Sequence, residues 1–444
     1  MSFGDFVRRQ HAAGRLVVQP RMGFGSPEHM RAGLAATRAA DATTVGTVTL
    51  DSYTRVGDLD AAAAALRDGT GLNGYPLATH STATTRQMLA GLHGPDFPVQ
   101  IRHGSARPQH IVDALVDAGL HATEGGPVSY CLPYGRIPLG QSVHSWTEAC
   151  RLLLRARETT GAEPHLETFG GALLGQLCPP SLLVAVSTLE AVFFHRHGLR
   201  SISVSYAQQT NPAQDREAVA ALRGLCADLL PGADWHVVVY AYMGLFPRSD
   251  HGSRTLLAHA AELAVHTGSE RLIVKTTAES RRIPTIEENV AALEHAAATA
   301  RASRPPHPAP PAPGGNQVHR EARALVDAVL DCDPDIGRAL IQAFQRGLLD
   351  VPYCLHPDNA GRARSYLAPD GRLGWAALGS LPLAGVTETR GHEALTSASL
   401  MTALSFVRDT YDQPALTHAT SHTLTAAPAS ADGPPADHAT GETR

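Results

Sequence analysis

Three arginines stand at the ends of three successive β-branched runs, in Gln19-Pro-Arg21-Met-Gly23, Asp51-Ser-Tyr-Thr-Arg55 and Gln100-Ile-Arg102-His103-Gly104. A guanidinium is a planar fork of N–H donors that matches a carboxylate two bonds at a time, so three in one layer call for a dianionic ligand. Taken singly, each arginine is as well explained by a structural pair with a carboxylate such as Asp51. A fourth run delivers Glu124-Gly-Gly-Pro-Val-Ser-Tyr130-Cys-Leu-Pro-Tyr134. Its carboxylate either neutralises one arginine or receives an ammonium from the ligand. Two carboxylates and an ammonium describe an acidic amino acid. Tyr130 and Tyr134 add phenol hydroxyls, although such tyrosines are more often half-buried packing residues.

Lys275 is the only lysine in a chain with 37 lysines and arginines. Where arginine is the default cation, a surviving lysine marks a place that needs a compact ammonium on a flexible stem. It sits in an apolar run, Arg271-Leu-Ile-Val-Lys275-Thr-Thr, with Glu279 four residues on. Two chemistries suit it: a cationic contact to a bound group, or a desolvated Schiff-base nucleophile of a lyase.

Elements must bring these side chains together. Eight short runs read as strands, at 16–20, 44–50, 98–102, 121–124, 165–169, 200–206, 235–243 and 271–276. Helical patterns fall between them at 27–39, 107–119, 145–159, 182–196, 213–230 and 254–267. Val219, Leu222, Cys226 and Leu229 repeat at helical spacing in the fifth of these. Eight strands alternating with helices predict a (β/α)8 TIM-type barrel over 1–302, with chemistry at the C-terminal strand ends. No Gly-x-Gly-x-x-Gly follows the first strand, which disfavours a doubly wound sheet. The long 56–97 connection calls for a helical excursion. A proline-rich stretch, 303–316, reads as a linker or loop. A smaller α+β extension is expected over 317–417, with helices at 319–331 and 335–347, and a disordered tail over 418–444.

Composition excludes other classes. A net charge of −5 without a basic stripe gives no reason to expect nucleic acid. The six cysteines, at 131, 150, 178, 226, 332 and 354, form no Cys-x-x-Cys pair and suggest reduced thiols in a cytoplasmic protein. No stretch suggests a membrane span or an export signal, and no metal-ligand set stands out.

These segments resemble the large (epsilon) subunit family of glutamate mutase, or methylaspartate mutase. The matching motifs are Gln19-Pro-Arg21-x-Gly23, Asp51-x-Tyr-Thr-Arg55, Leu72-Asn73-Gly-Tyr-Pro76, Arg102-His103-Gly104, Glu124-Gly-Gly-x-x-Ser-Tyr130-x-x-Pro133-Tyr134, Met243-Gly-x-Phe246-Pro247, Ile273-Val-Lys275-Thr through Glu279 to Ile283-Pro-Thr285, and Asp350-Val-Pro…Asn359-Ala-Gly361. They run in order from about residue 14 to about residue 390.

The resemblance implies an adenosylcobalamin-dependent radical rearrangement interconverting L-glutamate and (2S,3S)-3-methylaspartate; a related amino dicarboxylate is the nearest alternative substrate. It implies that Arg21, Arg55 and Arg102 clamp the substrate carboxylates, with His103, Glu124, Tyr130 and Tyr134 as further contacts and Glu124 near the amino group. Gly23, Asn73, Pro133, Phe246, Lys275, Glu279 and Ile283 match positions that contact the cofactor. Glu124 and Lys275 are the candidates for a catalytic part, Glu279 accepting from ribose hydroxyls and Lys275 donating to the nucleoside. The family also uses a separate small subunit whose Asp-x-His-x-x-Gly motif supplies the cobalt ligand, and a homodimer of large subunits is expected. Here the nearest string, Asp437-His-Ala-Thr-Gly441, has the wrong spacing. Departures from the family pattern are Pro127 for a glycine, Cys131 for an asparagine, Tyr240-Ala-Tyr242 for His-Gln-Trp, and Ser205-Tyr-Ala-Gln-Gln-Thr-Asn211 for a glycine- and cysteine-containing turn.

Overall fold

The computed structural model describes residues 2–133, 135–173, 177–303, 315–390 and 396–422, with side chains described as far as residue 413. Tyr134, most of the proline-rich stretch and the chain from 423 onward, Asp437 included, lie outside the described residues.

Eight parallel strands form one sheet: β1 (Val17–Gln19), β2 (Gly46–Thr49), β3 (Val99–Arg102), β4 (Ala122–Gly125), β5 (His165–Thr168), β6 (Ser201–Ala207), β7 (Asp234–Tyr240) and β8 (Arg271–Ile273). Their order is β1-β8-β7-β6-β5-β4-β3-β2. A parallel bridge from Val18 to Thr44, just before β2, and a bond from Thr49 N to Met22 O bring the two edges together. The chain is a TIM-type (β/α)8 barrel. Most strands are shorter than their apolar runs, and two differ where it matters for the site. β7 ends at Tyr240 and β8 at Ile273, so Lys275 stands in the loop beyond β8 instead of within the strand.

Helices follow from local signals. Ser26 caps Pro27–Ala39 and Asn211 caps Pro212–Leu229, each with proline at the first helical position, where the missing N–H costs nothing. Thr285 and Glu288 form a capping box on Ile286–Ala302. The excursion after β2 contains three short helices, Ser52–Val56, Leu59–Arg67 and Thr82–Leu89. Helix Pro180–Arg196 is buried on nearly every side. Helices Gln317–Leu330 and Ile336–Arg346 pack over it, so its outer face meets protein and no polar stripe is needed. A hairpin of Arg364–Leu367 and Leu373–Ala377 follows. The last helix, Ser397–His422, continues through 418–422, where a disordered tail was expected; its earlier turns are anchored against Asp250–His266.

Helices Phe3–Ala12 and Ile286–Ala302 are among the elements with no counterpart in the sequence-based expectations. Helix Phe3–Ala12 seals the N-terminal end of the barrel. Phe3 stacks on His165 at 4.9 Å between ring centroids, and a Cβ on Gly4 would lie 2.4 Å from Ser201 Oγ.

Behind that seal the barrel interior is polar. Arg271 and Glu167, both fully buried, form an ion pair; Arg271 also donates to Gln19 Oε1, and to Ser203 Oγ at 3.0 Å. Burial works against a charged Glu167, but Arg271 and then Arg102 outweigh it and hold the carboxyl below its ordinary range. Removing one partner of such a pair leaves an uncompensated charge, at a cost of about 3–5 kcal/mol. Arg271→Leu is therefore expected to lower the unfolding free energy by about that much in urea denaturation. Adding Glu167→Leu should recover a large part of the loss; an unchanged single-variant midpoint would mean the pair is not structural.

Candidate active site

The C-terminal strand ends build one mouth. After β1 the chain passes so close to β2 that a Cβ on Gly23 would sit 2.1 Å from the Thr49 carbonyl oxygen, which explains this glycine without a ligand. Asp51 accepts from Tyr53 N at 2.9 Å and Thr54 N at 3.0 Å, capping the helix that presents Arg55. It is a helix cap, and among the described residues it forms no ion pair with an arginine. Asn73 Oδ1 accepts from Ser52 N at 3.0 Å and holds the same turn from the other side.

A cavity of about 780 Å³ lies at the mouth, and Arg21, Arg55, Arg102, His103, Glu124 and Tyr130 all line it. Gly23, Asn73, Glu279 and Ile283 also lie on its wall. Pro133, Phe246 and Lys275 do not. Two of the three guanidinium forks are partly engaged, one of them by Glu124, the neutralisation that the sequence left open beside ammonium binding. Arg21 Nη1 is 3.0 Å from Glu279 Oε2, and Arg102 Nη2 is 2.7 Å from Glu124 Oε2. Arg55 is exposed and makes no ion pair among the described residues.

Unspent donors point to what the cavity lacks. Arg102 Nη1, His103 Nε2 and Thr49 Oγ1 are buried without a hydrogen-bond partner among the described residues, and all three residues line this cavity. Buried polar groups are normally paired, so three orphans on one wall are a signature of a missing polar ligand. Burial works against the charge on Arg102, but Glu124, Tyr240 and Glu167 together hold it protonated. His103 is held neutral: burial, then the neighbouring His110, Arg55 and Arg102, push its pKa down to about 3. Its Nδ1 accepts from Ser105 N at 2.9 Å, which places the ring proton on Nε2. His103 therefore offers a neutral N–H to an acceptor in the cavity.

Glu124 is 2 % exposed and also takes the Tyr130 hydroxyl on Oε1 and lies 3.0 Å from the Tyr240 hydroxyl. Its carboxyl is raised above the ordinary range, first by burial; Arg102 opposes and Glu167 adds to the rise.

The loop after β4 is shaped by a residue that sequence reasoning missed. Glu190 accepts from Ser129 N at 2.8 Å, Val128 N at 3.2 Å, Ser129 Oγ at 3.0 Å, Gly170 N at 2.9 Å and Phe169 N at 3.3 Å. One carboxyl group thus ties the β4 loop, which carries Tyr130, to the β5 loop. Burial pushes its pKa up to about 7 against the pull of those donors. Gly126 is obligatory beside it, because a Cβ there would lie 2.0 Å from Glu190 Oε1. A lone acid inside an otherwise apolar helix was the available signal.

Lys275 is 7 % exposed. Its Nζ lies 3.6 Å from Glu279 Oε2 and 4.7 Å from the centre of the Phe246 ring. Burial lowers its pKa, with Glu279 opposing and Arg21 reinforcing. Glu279 thereby links the lysine to Arg21 on the cavity wall. A second cavity, about 800 Å³, shares Gly23, Ile283 and Pro284 with the first and continues along Phe24, Leu72 and the Gly69–Gly71 turn.

Fold and site together define a (β/α)8 barrel protein with a cationic, partly unsatisfied pocket at its C-terminal mouth. The chain belongs to the methylaspartate mutase E chain (MutE) family, whose model matches residues 1–401. Its relatives include the glutamate mutase epsilon subunit of Halobacterium salinarum, 31 % identical over 356 residues, covering 78 % of this chain and 74 % of that one. The glutamate mutase epsilon subunit of Yersinia enterocolitica is 30 % identical over 396 residues, covering 86 % and 81 %.

Proposed function

We propose that this chain is the large, catalytic subunit of an adenosylcobalamin-dependent mutase interconverting L-glutamate and (2S,3S)-3-methylaspartate. The observation that carries the reading is the set of unspent donors, Arg102 Nη1 and His103 Nε2, on the wall that Arg21, Arg55 and Glu124 share. Arg102 and His103 bind one carboxylate of the substrate, and Arg55 with Arg21 binds the other. Glu124 takes the ammonium, and Tyr130 orients Glu124. Held at both ends, the substrate keeps its fragments in register while its carbon skeleton rearranges.

The second cavity and the Lys275–Glu279 pair suit a large cofactor that carries a nucleoside. Glu279 is positioned to accept from hydroxyls, and Lys275 to donate beside the Phe246 ring. Adenosylcobalamin, when bound, supplies the radical chemistry; the protein binds, orients and excludes water. In this reading the cobalt ligand comes from a small partner subunit. No helix of the described residues is long and apolar enough to cross a membrane. The lyase reading is disfavoured because the Lys275 amine does not line the cavity that holds the unspent donors.

Ligand binding tests the substrate class. L-Glutamate is expected to bind the full chain at least about tenfold more tightly than L-norvaline, which has the same carbon chain without the distal carboxylate, since a charge-assisted contact is worth about 1.5–3 kcal/mol. Trp146, 5.9 Å from the His103 ring, gives a fluorescence readout. Equal affinities would remove the second carboxylate from recognition.

A further inference from the structure

Tyr240 ends β7 and is fully buried. Its hydroxyl lies between two buried carboxylates, in contact with Glu167 Oε1 and 3.0 Å from Glu124 Oε2. A phenol has one proton and donates it to one acceptor at a time. Glu167 is the closer partner. Its other oxygen already accepts from Arg271, from Ser203 Oγ at 3.1 Å and from Gln100 Nε2 at 3.3 Å, a setting made for an ionised carboxylate. With the phenol proton given to Glu167, the contact between Tyr240 and Glu124 has lone pairs on both sides unless Glu124 supplies a hydrogen.

We propose that, in the ligand-free protein, Glu124 carries that hydrogen on Oε2 and donates it to Tyr240, so that Glu124 and Glu167 hold one proton between them, and that a ligand ammonium arriving at Glu124 displaces it. Tyr240 is then a positioning residue that sets the ionisation of the ammonium-binding carboxyl. The groups facing Glu124 are Arg102, Tyr130, Tyr240 and Glu167; Arg102 and the two phenols favour its ionised form, and burial together with Glu167 outweighs them. Glu124 is raised, by burial and by Glu167, whereas Glu167 is lowered by Arg271 and Arg102 in spite of burial. On displacement the O–H bond of Glu124 breaks, the electron pair stays on the carboxylate and the proton leaves to solvent through the mouth. The ammonium keeps its three hydrogens, and Arg102 Nη2, 2.7 Å away, supports the new charge.

This inference rests on the amino-dicarboxylate reading, and its test separates the two. Calorimetric titrations of the full chain with L-glutamate, at neutral pH in buffers of different ionisation heat, are expected to show release of about one proton per ligand bound. Glutarate, which lacks the ammonium, should release none. In Tyr240→Phe the protonated form of Glu124 loses its acceptor, so release should fall towards zero while L-glutamate still binds. Binding without release, equal release with glutarate, or unchanged release in Tyr240→Phe overturns the shared proton and leaves the substrate class standing. Failure of L-glutamate to bind contradicts the substrate class, and a ligand-free measurement then decides the proton. Buried Glu190 and Asp215 also contribute protonated-carboxyl intensity near neutral pH, so the infrared test is a difference measurement. Wild type minus Glu124→Gln and wild type minus Tyr240→Phe should each show loss of the same protonated-carboxyl C=O component. No loss of that intensity in Glu124→Gln overturns the proposal.

Discussion

Arg102→Lys is expected to raise the KM for an acidic amino acid by about tenfold to a hundredfold while the protein stays folded. The reason is division of labour within one guanidinium. Nη2 is spent on Glu124 at 2.7 Å, and Nη1, in a side chain that lines the cavity, is buried with no partner among the described residues. A lysine can keep the charge beside Glu124, so the barrel interior stays neutralised. Its single ammonium cannot hold Glu124 and extend a second, planar bond to the ligand. The lost contact is charge-assisted, worth about 1.5–3 kcal/mol, which sets the size of the effect. Steady-state kinetics of the reconstituted enzyme, or calorimetry on the chain, reads it directly. An unchanged KM would remove Arg102 from ligand binding and leave it only as the partner of Glu124.

Lys275→Arg is expected to act on turnover. The amine is buried over the Phe246 ring and shares Glu279 with Arg21. A guanidinium is wider and flat, and forcing extra bulk into a packed site typically costs about 1–3 kcal/mol. If that cost falls on the catalytic arrangement, kcat drops by about tenfold to a hundredfold. Lys275 does not line the cavity of the arginines, so KM should change by less than about threefold. Wild-type kcat would make Lys275 a structural cation. A KM effect as large as that of Arg102→Lys would place it against the substrate.

Much of this architecture was legible because its signals are local. The strand runs and the caps at Ser26 and Asn211 are written in a few consecutive residues, and so are the Arg21, Arg55 and Arg102 positions. Helix Phe3–Ala12 was legible too, with a Ser2–Asp5 capping box and Phe3, Phe6 and Val7 on one face, but it was not read. What stayed hidden is tertiary. Nothing near Arg21 in sequence announces Glu279 as its partner, 258 residues away. The same holds for Glu190, which ties two loops from a helix with no polar face, and for the Arg271–Glu167 pair inside the barrel. Tyr240 was visible as an unusual residue, yet only the meeting of β4, β5 and β7 puts its hydroxyl between two carboxylates.

The central claim, a carbon-skeleton mutase acting on an acidic amino acid, is tested most directly by reconstitution. The full chain would be combined with a small subunit carrying Asp-x-His-x-x-Gly, adenosylcobalamin and L-glutamate, and the products resolved by chromatography. Formation of 3-methylaspartate, dependent on both subunits and sharply reduced in Arg102→Lys at limiting substrate, is the expected result. No rearranged product from L-glutamate or any other amino dicarboxylate, with both subunits and cofactor shown to be assembled, would contradict the account.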